Sequence, residues 1–473
     1  MFLTGSVRQS KNRPENTKAA EVFLMMKNRK FQIALIIFSL TGQIAWVVEN
    51  MYFNVFIYKM FRASASDIAL MVTASAIAAT LTTILMGALS DRIGKRKIFM
   101  CAGYIAWGIS IISFALIRTD VISSLFGMVT GAATVGITLT IIMDCVMTFF
   151  GSTANDAAYN AWLTDSTDAT NRGAAEGINS MMPLISILVV FGGFMGFDLD
   201  QASSWTAIYC IIGGLVLLIG ILGFFLVDEA PVRNPDSLGY FATILYGFRP
   251  DVIRKNAVLY FSMAAFILFN ISIQIYMPYL IIYYEQTLGM ADYVLIMAPA
   301  IILAAAVTFF FGRLIDRYGF RKMVLPAMFL LALGFVLLWL VPSMIPAEGM
   351  AMKIPVFIGS LLMMSGYLSG MAAYGTQLRN YTPEHMAGRF QGLRILSQVL
   401  IPGIIGPQIG AWVLRDAPTI SNSDGTTSFL PSADIFLTAL IVLFILIAVL
   451  SAWLLHNKNG AEGSVSMESR GDR

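Results

Sequence analysis

The chain has 473 residues, 57% of them hydrophobic and only 12% charged, with 33 Phe and 28 Met. So little charge cannot coat a water-facing surface, and the composition excludes a soluble multidomain protein in favour of one whose solvent is lipid. The net charge of +3 comes without the long basic run that a nucleic-acid partner requires.

Residues 1–30 are too long and polar for a secretory signal and read as a cytoplasmic amino-terminal tail. Apolar runs of spanning length follow at 31–58, 66–90, 98–117, 134–163, 175–197 and 206–227, then at 256–284, 292–312, 323–342, 354–377, 391–414 and 432–455. The fourth is the hardest to place, because Val121 to Asp165 is too long for one crossing; the crossing is set late, over 134–163. The expected fold is all-α, a polytopic membrane protein of 12 transmembrane helices. Its divisions are 31–227 and 256–455, each of six helices, a cytoplasmic linker over 228–255 and a cytoplasmic tail over 456–473. The linker carries Pro231, Pro235, Pro250 and the amphipathic string YFATILYGF.

With the amino terminus inside, the inner segments hold 26 of the 31 Lys and Arg residues, and the outer loops hold Lys59, Arg62, Arg118, Lys353 and Arg415. Basic residues stay on the cytoplasmic side, so both termini are expected there. Compact loops favour a bacterial inner membrane. Cys101, Cys145 and Cys210 fall in predicted spans without metal-ligand spacing, so neither a disulfide nor a zinc site is expected. His385 and His456 are the only histidines, and no nucleophile and base pair suggests an enzyme.

The fourth span is the most polar. In DCVMTFFGSTANDAAYN, Asp144, Thr148, Ser152, Asp156 and Asn160 recur every fourth residue and share one face of a helix over about 24 Å. A carboxylate at the centre of a spanning helix costs about 2.5–3.5 kcal/mol, so buried acids point to function. Asp144 and Asp156, with Glu49 on the first helix, are the candidate cation-coupling residues; they suit proton uptake, or Na⁺ held through oxygens. The other reading is that Asp156 or Asn155 caps or kinks the helix end.

Helix one presents Gln43, Trp46, Asn50 and Asn54 on one face, where amides can grip hydroxyls and an indole can stack on a sugar ring. Interhelical hydrogen bonding explains the same residues. Asn155, Asn160, Asn270, Gln274, Tyr367 and Gln398 complete the candidate substrate contacts. Acid in the first half and neutral donors in the second suggest a neutral polyol-like solute moved with H⁺ or Na⁺, and no other cofactor.

An internal repeat organises the chain. GALSDRIGKRK follows the second span and GRLIDRYGFRK the eighth, so Gly87, Asp91, Arg92 and Gly94 recur as Gly312, Asp316, Arg317 and Gly319, 225 residues on. A fainter pair is GAAEG with Glu176 and Gly177 against GRFQG with Gln391 and Gly392. The doubled loop resembles the signature between helices two and three, and its relic between helices eight and nine, of the major facilitator superfamily. That resemblance implies two pseudo-symmetric six-helix bundles around a central cavity, alternating access by rocking, and a conformational latch at Gly87, Asp91, Arg92, Gly94, Gly312, Asp316, Arg317 and Gly319. Arg172 and Glu176, an i,i+4 pair, join the latch. YNAWLTDSTDATNRGAAEG, Tyr159 to Gly177, is similar to a segment of the glycoside, pentoside and hexuronide:cation symporter branch. That branch has paired aspartates in helix two, and SAIAATLTTILMGAL has none here.

The expected function is therefore cation-coupled uptake of a sugar or glycoside by a functional monomer in a lipid bilayer. The runner-up is proton-coupled efflux; against it, helix five has only Pro183, and GIIGPQIGA falls in helix eleven. A transport-dead sensor is the third reading.

Overall fold

The computed structural model describes residues 15–127, 131–167, 172–229, 246–344, 350–382, 392–422 and 425–471. Most of the amphipathic linker string and, in the fainter repeat, Gly388 and Gln391 lie outside these residues.

Twelve helices are long and apolar enough to cross a membrane. They are α1 Arg29–Phe61, α2 Ala65–Ile93, α3 Arg96–Leu116, α4 Ala132–Ser166, α5 Ala175–Phe194 and α6 Ala202–Leu226. The second half supplies α7 Ala257–Thr287, α8 Val294–Tyr318, α9 Phe320–Val341, α10 Ala351–Tyr381, α11 Gly392–Val413 and α12 Asp434–His456. The late placement of the fourth crossing agrees with α4; the excess length before it forms a separate short helix, Thr119–Phe126. Large apolar side chains are exposed midway along the helices, among them Leu81, Ile109, Ile142, Leu333 and Ile441, as a lipid-facing surface requires.

The packing repeats. Within the first half α1 packs on α5, α2 on α4 and α3 on α6; within the second α7 packs on α11, α8 on α10 and α9 on α12. Advancing each helix by six places turns the first set into the second. The same step exchanges the two main contacts between halves, α2 with α11 and α8 with α5. The chain is thus two pseudo-symmetric six-helix bundles.

The two copies of the repeated loop lie at the same end of the bundle, here the motif face. Gly94 and Gly319 take φ of 72° and 79°, which explains why both copies hold glycine there. Gly87 and Gly312 meet no such demand, since a Cβ at Gly87 would make only an ordinary contact at 3.9 Å and one at Gly312 none. At the opposite end, the far face, Ser64 and Asp67 form a capping box that starts α2 straight after α1. Also on the far face is an antiparallel hairpin, β1 Thr419–Ser421 and β2 Thr427–Phe429.

Helices α3 and α6 touch backbone to backbone. A Cβ at Gly108 would fall 2.6 Å from the Gly213 carbonyl, and one at Gly213 would fall 2.7 Å from the Gly108 carbonyl. Small residues permit this approach, and in lipid such packing replaces a hydrophobic drive between helices. Gly108→Val or Gly213→Val is therefore expected to abolish the monodisperse peak in detergent size-exclusion. Gly214→Val, with open space around its Cβ, is expected to leave it intact.

Candidate functional site

Among the described residues, three of the four π-helical turns in the membrane helices carry an acid: Val48–Tyr52 holds Glu49, Ser152–Tyr159 holds Asp156 and Tyr283–Thr287 holds Glu285. A π turn inserts a residue, widens the helix and re-aims the side chains beyond it, and such turns concentrate at functional sites.

Glu49 is buried between three helices. The Ser75 hydroxyl of α2 and the Thr148 hydroxyl of α4 approach its Oε1 at 2.7 and 2.9 Å and lie 2.9 Å from each other. Its Oε2 is buried without a hydrogen-bond partner among the described residues, as is Asp144 Oδ1. Glu49 interacts electrostatically with Asp144, which is 2% exposed, and with Asp156. The half-buried Asp156 accepts a hydrogen bond from Ser152 at 3.0 Å, with the Asn155 amide at 3.4 Å. The structure thus places Glu49 within electrostatic reach of each of the two aspartates picked out in the sequence. The three acids are spread along α1 and α4 rather than gathered, and among the described residues no group of three His, Cys, Asp or Glu could hold a metal ion.

The polar stripe of α4 needs correction. Asp144, Thr148 and Ser152 are buried on one line, but the π segment shifts the register before Asn160. Asn160 is exposed and turns its amide back to the carbonyls of Asn155 and Asp156 at 3.3 and 3.1 Å.

On α1, otherwise buried in its central part, Leu40, Gln43, Trp46 and Asn50 form the less-buried stripe. Trp46 packs on Trp107 at 4.9 Å between ring centroids, both indoles lying against Gly151. The Asn50 and Asn54 amides donate to carbonyls one turn back, at 2.7 and 3.0 Å. Asn155 is buried against α3, with the Tyr104 hydroxyl at 3.0 Å. In the second half Asn270 donates to the Phe266 carbonyl at 2.8 Å and Tyr367 stacks on Phe269 at 6.4 Å. Gln43, Gln274 and Gln398 are half-buried and, among the described residues, have no hydrogen-bond partner. Away from their ends, α7 to α12 carry no acid.

The motif face holds one clamp. Arg96, 3% exposed, reaches Asp165 at 3.1 Å and Ser90 at 2.6 Å and pairs with Asp91. Asp91 is therefore engaged, whereas Arg92 points outward, exposed and without an ion-pair partner among the described residues. In the second copy Asp316 and Arg317 are both exposed; Arg321, 225 residues after Arg96, lies over the Trp453 ring at 5.3 Å. Glu176 is half-buried within electrostatic reach of Arg394; the Arg172 side chain lies outside the described residues.

Among the described residues, most side-chain bonds that cross between halves lie at the far face, and deeper in the membrane Thr73 of α2 donates to the Gly403 carbonyl of α11 at 3.3 Å, with the Gln408 amide 3.4 Å from its hydroxyl. At the far face the Tyr52 and Tyr293 hydroxyls meet at 3.2 Å, Tyr58 donates to the Phe429 carbonyl at 2.7 Å and Tyr279 to the Ala65 carbonyl at 3.0 Å. Lys59, buried, pairs with Glu285 of the second half and with Asp200 at 3.1 Å. At the same end Lys353 beside Asp292 holds that carboxyl below the ordinary carboxylate range, so this exposed pair is present at neutral pH and lost as pH falls through the lowered value. Ser75, Arg96, Asp165, Lys59 and Glu285 were not singled out from sequence; the basic residue after the repeated Gly was the only available signal for Arg96.

The family model of the Major Facilitator Superfamily matches residues 33–407. None of the curated proteins matches the chain. Among solved structures, a variant of the nucleoside transporter NupG is similar with a TM-score of 0.65 at 12% identity, over 89% of this chain and 98% of that one. The xylose transporter XylE from E. coli, partially occluded and inward open, gives 0.63 at 12% identity, over 89% and 98%. A bacterial homolog of the human lysosomal transporter Spinster, inward facing, gives 0.59 at 14%, over 90% and 96%. At these identities the likeness is one of fold.

Removing the Arg96 side chain strands buried Asp165. Arg96→Ala is expected to destabilise the protein by about 3–5 kcal/mol in thermal unfolding in detergent, while Arg92→Ala is close to neutral.

Proposed function

The chain belongs to the Major Facilitator Superfamily, and on that premise we propose that it imports a neutral, sugar-like solute together with a proton by alternating access. Membership makes it an integral membrane transporter of a small molecule. The observation that carries the finer reading is Glu49, held by Ser75 and Thr148 and flanked by Asp144 and Asp156. Glu49 lies within electrostatic reach of both aspartates inside an apolar bundle, so it repels each of them when ionised; taking up one cation at Glu49 relieves both pairs and releasing it restores the strain. The spread of the three acids along two helices favours a proton over a metal ion.

The solute is read from the neutral groups. Gln43, Trp46 and Asn50 on α1, with Gln274, Tyr367 and Gln398 opposite, supply amides and aromatic faces, the groups that bind hydroxyls and sugar rings. A xylose transporter and a nucleoside transporter among the structural neighbours accord with a hydroxyl-rich solute, as does the Tyr159 to Gly177 resemblance to the glycoside branch.

With the basic residues inside, the motif face is cytoplasmic, both termini are inside and the sealed far face is external. The Lys59 to Glu285 pair then ties the two halves at the external end and has to break for outward opening, whereas the Arg96 clamp stiffens the cytoplasmic end of the first half.

The test is external pH in lightly buffered cells pulsed with glycosides, pentoses, hexuronates and nucleosides. Alkalinisation with one solute, lost in Glu49→Gln and Asp156→Asn while solute exchange persists, is the expected result. Uptake that follows Na⁺ with no pH change would replace the proton, and silence across the panel in both ions would overturn sugar symport. A separate outcome concerns the seal. In Lys59→Ala, a cysteine at Asn54 is expected to react with an external impermeant maleimide roughly tenfold faster, the equivalent of about 1.4 kcal/mol towards the outward-open state.

A further inference from the structure

The Tyr104 hydroxyl of α3 has one hydrogen and two acceptors. It lies 2.8 Å from the Phe38 carbonyl of α1 and 3.0 Å from Asn155 Oδ1 of α4. The Asn155 amide is itself a bridge, since its Nδ2 faces Asp156 Oδ1 at 3.4 Å, while Ser152 donates to Asp156 Oδ2 at 3.0 Å. A chain of hydrogen bonds thus runs from a backbone carbonyl of α1, through one hydroxyl and one amide, to a candidate coupling acid. Its middle is buried, with Tyr104 at 0% and Asn155 at 3% exposure.

The surroundings hold the heavy atoms of this chain in place. The Tyr104 ring packs edge-on against Phe38 at 4.8 Å and Trp107 at 5.5 Å between centroids. A Cβ at Gly42 would fall 2.4 Å from Asn155 Oδ1 and 2.6 Å from the Tyr104 oxygen, so α1 closes over the pair only because glycine stands there. A Cβ at Gly103 would fall 2.6 Å from the Ala154 Cβ, so α3 and α4 interlock beside it. The freedoms left are those that move almost no volume: a hydroxyl can rotate, and an amide can exchange its nearly isosteric ends.

We propose that Tyr104 and Asn155 are positioning residues that relay the protonation state of Asp156 to α1. When Asp156 is ionised, the Asn155 N–H donates to it, the amide oxygen takes the Tyr104 hydrogen, and α1 goes without that bond. When Asp156 gains a proton on Oδ1, its O–H donates to the amide oxygen, the amide having turned end for end. The amide N–H then donates to the phenol oxygen, and Tyr104 gives its hydrogen to the Phe38 carbonyl. Tyr104 and Asn155 keep their own hydrogens throughout. Proton uptake thereby ties α1 to the interlocked α3 and α4, and release frees it. Gln43 and Trp46, candidate solute contacts, follow Phe38 on the same helix, so the tie bears on the element that meets the solute. Among the described residues, the titratable groups within electrostatic reach of Asp156 are Glu49 on α1 and Tyr104 on α3. The inference rests on the proton coupling read above, in which Asp156 is required.

The protonated arrangement uses the phenol twice, as acceptor and as donor, and the ionised one uses it once, so losing the hydroxyl penalises the protonated form more. The experiment measures solute-driven proton uptake against pH in wild type, Tyr104→Phe, Asn155→Leu and the double variant. In Tyr104→Phe the pH of half-maximal uptake is expected to fall by roughly half a unit to one unit, a three- to tenfold loss of proton affinity. In the Asn155→Leu background, where the bridge is gone, Tyr104→Phe is expected to move the midpoint no further. Infrared acid-minus-neutral difference spectra of purified protein give a readout independent of transport. A phenol C–O band, identified by its loss in Tyr104→Phe, is expected in wild type and expected to vanish in Asp156→Asn, a link that packing alone does not produce. An unchanged midpoint in Tyr104→Phe, an equal shift in the Asn155→Leu background, or a phenol band that persists in Asp156→Asn overturns the relay and leaves symport standing. A wild type that moves solute with no proton overturns both.

Discussion

A polar group in hydrocarbon has to find its partner inside the protein, because no water is there to supply one. Glu49 shows how much architecture that demand consumes: two hydroxyls from two other helices converge on one carboxylate oxygen, and α1 departs from α-helical winding at that point. Asn155 and Asn179 are met in the same manner by hydroxyls from neighbouring helices. The first bundle is organised around keeping these groups satisfied, and the second, poor in mid-membrane charge, is filled by stacked aromatic rings.

The two halves share a plan yet differ in what they tie down. Both copies of the repeated loop need a positive φ and so keep their second glycine. Among the described residues the first copy is clamped, because Arg96 finds Asp165 at the end of α4, whereas Arg321 finds an indole. The turn is thus the same in both halves, while the partner of the basic residue after it differs.

The legible part of the molecule was the part written in local pattern. Twelve spans, the late position of α4 and the doubled turn follow from apolar length and from glycine spacing, which the bilayer and the backbone dictate residue by residue. The acids Glu49, Asp144 and Asp156 were legible because charge in an apolar run is conspicuous. Ser75 was not, since a serine in SAIAATLTT looks like any small residue used for close helix packing. Arg92 outranked Arg96 in the sequence because both follow the same loop and burial leaves no local mark. The α4 stripe reached too far because a π turn adds a residue that no periodicity announces. Lys59 and Glu285, 226 residues apart, meet only through the fold.

Gly108 and Gly213 leave no layer of side chains between α3 and α6. Two helices whose main chains interlock have nothing to slide on: any shift of one along the other drives carbonyl into backbone. The pair consequently behaves as a keel, stiff along the outer flank of its bundle, and motion within that half belongs to the helices whose winding already departs from regular, α1 and α4.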